Sequence, residues 1–159
     1  MCAIRAKNCT WHNKVEAFDP SVINPPPLTL RRRSEQLFAS AQREKAHDDA
    51  SAALLLFYAA ECALKSIYMV QNNLRATDEA RGSAVSARSY SHNLRGLIVA
   101  LNIPNASVPR IPPVIIDKTG LSAEAAVLHE AWRYGVKVRD LTALYDWLTI
   151  IIEWCRKNR

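Results

Sequence analysis

The chain has 159 residues, 49% of them hydrophobic and 23% charged, with a formal net charge of +6. That length suits one domain with a core large enough to need no disulfide or metal staple, and the basic balance makes an anionic partner, nucleic acid first, the expected class. Only four glycines and no alternating apolar runs bounded by turn pairs argue against a β fold and for an all-α one.

Residues 1–29 read as an extended N-terminal arm. Asp19-Pro20 and Pro25-Pro26-Pro27 force extended or turned backbone, because proline lacks an amide hydrogen and crowds a preceding helical turn. Trp11 and Phe18 are available to pin the arm. The start has no apolar run suited to a secretory signal. Cys2, Cys9 and His12 do not follow zinc-ligand spacing, and Cys62 and Cys155 fall on apolar helices. No metal or cofactor is therefore expected, and reduced cytoplasm is the expected compartment.

A helical bundle is expected from residue 30 to 159. The spacing predicts a first helix capped by Thr29, with Leu30, Leu37, Phe38 and Ala41 as its apolar stripe and Arg31–Arg33 as a basic cluster. It ends near His47, and Asp48-Asp49 suit the N-terminal dipole of the next helix. That next helix, 50–71 (ASAALLLFYAAECALKSIYMVQ), organises the chain. It lacks Gly and Pro and is apolar almost all round, the signature of a buried or membrane-spanning helix. Its one polar track, Glu61 and Lys65, sits mid-segment, which favours burial in a bundle over a span. The four-residue spacing from Glu to Lys is the favourable order for an ion pair on one face. On a covered face that pair must be hydrogen-bonded.

Residues 72–91 are polar and small and predict a mobile loop with at most one helical turn. A third helix is expected over 92–102, capped by Ser91 and built on Leu94, Leu97, Ile98 and Leu101. The prolines of 103–119 exclude helix there, and so long a connection is either functional or draped on the bundle. Ser122 is the expected cap of a fourth helix ending at Gly135. The last helix is expected from Val136 onward, with Val138, Leu141, Tyr145, Leu148, Ile152 and Cys155 as a seam. Leu144, Trp147, Ile151 and Trp154 widen that seam, which suggests contact with both the core and a second subunit.

From Ala80 to Ile116 there is no acidic residue, while Arg81, Arg88, Arg95 and Arg110 are present with His92. These arginines are the expected nucleic-acid contacts, with Tyr90 as the aromatic for base stacking. Three Arg–His pairs have helical spacing: Arg43 with His47, Arg88 with His92, and His129 with Arg133. Each is read either as a catalytic pair or as a surface or capping histidine.

LLLFYAAECALKSIY, followed by SHNLRGLIVALN and then EAWRYG, resembles the second helix, the His-Asn-Leu helix start and the late Arg-Tyr segment of HEPN domains. The resemblance covers roughly Leu30 to Arg156. It implies an up-and-down bundle of four to five helices, usually dimeric. It also implies membership of a family of metal-independent RNases and non-catalytic partners in defence and toxin–antitoxin systems. The RNase members carry Arg, a polar residue and then His at the start of the last helix. Arg139 and Asp140 occupy those first positions here, but Leu144 stands where the nearest histidine belongs, and no histidine follows His129. The expectation is thus a dimerising interaction module with the RNase centre absent or degenerate, directed at RNA or DNA. The alternatives are an endoribonuclease using Arg139 with His129 or His92, and a structural subunit without nucleic-acid contact.

Overall fold

A computed structural model describes residues 23–117, 120, 122–123 and 127–159. The readings placed on the arm through Trp11, Phe18, Cys2, Cys9 and His12 lie outside the described residues. The fold is largely helical: α1 (Pro27–Glu44), α2 (Asp49–Gln71), a 3-10 turn (Ala87–Tyr90), α3 (Leu94–Ala100), α4 (Leu128–Arg133) and α5 (Leu141–Lys157).

α1 begins earlier than expected. Its N-cap is Pro26 and Pro27 opens the helix, so Thr29 lies inside it. Proline at the first helical position has no hydrogen-bonding duty to fail. α2 is capped as its aspartates suggest: the Asp48 carboxylate accepts from Ala50 N at 3.0 Å and Ser51 N at 3.1 Å. α1 and α5 both pack on α2, and its fully buried Ala52, Ala53, Ala59 and Ala60 let those neighbours approach closely. α2 is also the described helix long and apolar enough to cross a membrane, but 67% of that stretch is buried inside the fold. It is the core helix of the bundle.

The Glu35 carboxylate ties α1 to α5. Arg156 donates to it at 2.5 Å, Arg159 donates as well, and the Arg156 guanidinium lies 4.2 Å over the Phe38 ring. The Arg156 hydrogen bond, with help from Arg159, holds the Glu35 carboxyl below its ordinary value of 4.5. A carboxyl depressed in the folded state adds stability that is present above 4.5 and lost as pH falls through the folded value. Glu35→Gln should therefore unfold more readily than wild type at neutral pH, by a modest margin because the pair is part-exposed. The two proteins should converge once Glu35 is protonated, which an acid titration of urea midpoints reads directly.

The second half departs most from the helical expectation. Val114–Ile115 (β1) pairs antiparallel with Ser122–Ala123 (β2), Val114 opposite Ala123 and Ile115 opposite Ser122. Ser122 is therefore in a strand and caps no helix, and α4 is confined to Leu128–Arg133. Gly135, at φ +69°, turns the chain out of α4. Residues 137–139 then pair with the 115–117 segment through one isolated bridge, Val138 opposite Ile116, with Asp117 N donating to Lys137 O and Arg139 N to Ile115 O, both at 2.9 Å. Val138, expected to open the seam, thus lies outside α5. The loops also contribute to the core: Leu74, Ala87, Val108 and Val114 are all buried, so the described part of the proline-rich connection is draped on the bundle. Trp147 donates to Pro109 O at 2.9 Å, so the proline-rich segment covers part of the α5 face whose width suggested a second subunit.

Candidate acid–base site

Tyr58, Glu61, Cys62 and Lys65 fall at i, i+3, i+4 and i+7 of α2 and share one face. Glu61 is buried at 8% exposure, and Lys65 Nζ donates to its Oε1 at 2.6 Å. The pair anticipated from spacing is present, and it is covered rather than superficial. The second carboxylate oxygen, Oε2, lies 2.9 Å from His92 Nδ1. A carboxylate only accepts, so Nδ1 carries the hydrogen, and the ring in its neutral form presents the Nε2 lone pair.

The chain before α3 aims His92 at α2. Ser91 takes a left-handed conformation (φ +46°), which is uncommon outside glycine and turns the backbone sharply. The cap of α3 is Asn93, not Ser91: its Oδ1 accepts from Gly96 N at 2.8 Å. A Cβ at position 96 would meet the Asn93 amide at 2.8 Å, so this glycine lets the cap close next to His92.

His129, on the first turn of α4, brings the second imidazole. Its ring centroid is 4.1 Å from that of His92, and Phe57 stacks against it at 5.5 Å. The rings differ in access. His129 is buried at 7%, whereas the His92 side chain is 39% exposed. The Tyr58 ring lies 5.9 Å from His92 and 6.3 Å from His129. Burial raises the Tyr58 hydroxyl, Glu61 adds to the rise and Arg133 opposes it, so Tyr58 stays a hydrogen-bond donor at neutral pH. Burial, with Glu61, pushes the Cys62 thiol up to about 11, which removes it as a thiolate nucleophile.

The surroundings are cationic. Lys65 bonds Glu61, Arg133 acts on Tyr58, and Arg33 of α1 acts on Cys62. Cations thus act along this face of α2 at Tyr58, Glu61 and Cys62, and only Lys65 among them is bonded to the carboxylate. Among the described residues no group of three His, Cys, Asp or Glu side chains is placed to hold a metal ion.

Arg139 and Asp140 lie in the turn that leads into α5. Arg139 Nε donates to Asp117 Oδ1 at 3.2 Å, both side chains being 52% exposed. Asp140 precedes α5 in a left-handed conformation and makes no side-chain cap. Arg43 bonds Ser40 Oγ at 3.0 Å and His47 is exposed in a turn. The left-handed Ser91 breaks the helical relation supposed between Arg88 and His92, while His129 and Arg133 keep theirs within α4. Arg81, Arg88, Arg95 and Arg110 are all exposed, with Arg81 donating to Asn73 O at 3.2 Å. Tyr90 packs edge-on against Tyr68 at 5.1 Å and is not the open stacking surface expected.

His92 and His129 are separate candidates in the sequence, and no spacing between them reports that they meet. The signal that bore on it was the polar track of α2, extended by Tyr58 and Cys62 to two full turns. Comparisons with protein-family models, curated proteins and solved structures find no match.

Proposed function

We propose that the chain is a metal-independent endoribonuclease built on a HEPN-like bundle, with its acid–base centre at His92 and His129 and not at Arg139. The observation that carries this reading is the contact of two imidazoles, ring centroids 4.1 Å apart, one of which is bonded to a buried carboxylate. Glu61 fixes His92 with Nε2 free to take the proton of a ribose 2′-hydroxyl. The 2′-oxygen then attacks phosphorus, the bond from phosphorus to the 5′-oxygen breaks, and His129 returns a proton to that leaving oxygen. Lys65, Arg133 and the Tyr58 hydroxyl face the charge that builds on the phosphoryl oxygens. The products are a 2′,3′-cyclic phosphate and a 5′-hydroxyl.

The test is labelled single-stranded RNA incubated with the purified protein in EDTA. Products ending in 2′,3′-cyclic phosphate, with no cleavage of a substrate carrying one 2′-deoxy sugar at the cut, support the reading. Cleavage of the deoxy substrate contradicts it, because the internal nucleophile is then not the one used. A second reading, a dimerising interaction module of a defence-type system, is favoured by the exposed Arg139–Asp117 pair, which occupies the place of the family's catalytic arginine. It predicts RNA or DNA binding without cleavage.

A further inference from the structure

We propose that Tyr134 is the platform on which a nucleobase flanking the scissile phosphate stacks, so that the substrate is single-stranded RNA; this rests on the ribonuclease reading above. Tyr134 is 72% exposed, the most exposed large hydrophobic side chain among the described residues. It follows directly on α4, the helix that supplies His129 and Arg133. The turn at Gly135 (φ +69°) carries the chain away immediately after it. The ring is thus presented outward at the end of the helix that builds the site.

Arg133 connects this ring to the centre. Its Cζ lies 5.8 Å from the Tyr134 ring centroid, and its charge acts on Tyr58 beside the histidines. His129 and Arg133 are one helical turn apart, about 6 Å along the axis. For a strand with its phosphate between His92 and Arg133, Tyr134 is the exposed ring beside Arg133. An aromatic face accepts any base, and it needs that base unpaired. The other aromatics near the site are occupied: Tyr90 packs on Tyr68, Trp132 is buried at 6%, and Tyr58 packs against Phe57 and both histidines.

The experiment uses fluorescence anisotropy of a labelled single-stranded RNA on the non-cleaving His92→Ala background, with Tyr134→Ala and Tyr134→Phe added. Alanine should weaken binding roughly tenfold to a hundredfold while phenylalanine preserves it. The salt slope should not change, because no phosphate contact is removed. A blunt RNA duplex should bind both variants alike. Equal affinity of Tyr134→Ala and its parent for the single strand overturns the stacking assignment and, if wild type still cleaves, leaves the ribonuclease reading standing. A dilution-dependent dimer that Tyr134→Ala abolishes also overturns it, since a second copy then covers the ring. Wild type that neither binds nor cleaves RNA removes both readings together.

Discussion

Replacing Glu61 by leucine should lower the unfolding free energy by about 3 kcal/mol, the lower end for breaking a buried ion pair. The carboxylate is 8% exposed and bonds both Lys65 and His92. Its loss leaves the ammonium of Lys65, a side chain only 12% exposed, without a counter-charge. His92 suffers less, because its part-exposed ring turns to water. The double variant Glu61→Leu with Lys65→Met should recover most of the loss, since an apolar pair of similar volume replaces both charges. Urea midpoints of the two variants separate the explanations. Equal losses in single and double variants would mean that packing volume, not unpaired charge, governs this position.

The second large effect is on rate. His92→Asn keeps an amide able to donate to Glu61, so the fold around the site is preserved. It has no group that takes a proton near neutral pH. General acid–base catalysis by one side chain contributes roughly a hundredfold to ten-thousandfold, and a cleavage rate reduced by that factor with an unchanged urea midpoint is the expected result. His129→Ala should slow the reaction comparably, and it should also destabilise, because its ring is buried in contact with Phe57 and His92. A variant that lowers rate only in proportion to lost folded protein would speak for a structural histidine pair.

The organising role of α2 was legible from its unbroken apolar run, and the Glu61–Lys65 pair from its four-residue spacing. Both are local patterns, and helical periodicity carries them. The β1–β2 pairing was not legible, because two-residue strands have too little alternation to read and their register is set by contacts across the turn. The same holds for the segment at 137–139, whose pairing depends on Ile115 and Asp117. The His92–His129 contact was the costliest to miss. It joins two elements through a left-handed Ser91 and a short α4, and no periodicity within either element reports it. The family pattern drew attention to Arg139, whose exposed pairing with Asp117 only the fold could reveal.

The most direct test sets two variants side by side: initial rates of RNA cleavage in EDTA for Arg139→Ala and His92→Ala against wild type. Arg139 is 52% exposed in a surface ion pair, and such pairs contribute little to stability, so Arg139→Ala should fold normally and cleave at close to the wild-type rate. His92→Ala should lose at least about a hundredfold. The opposite order, with cleavage abolished by Arg139→Ala and retained by His92→Ala, would contradict the placement of the acid–base centre on the face of α2.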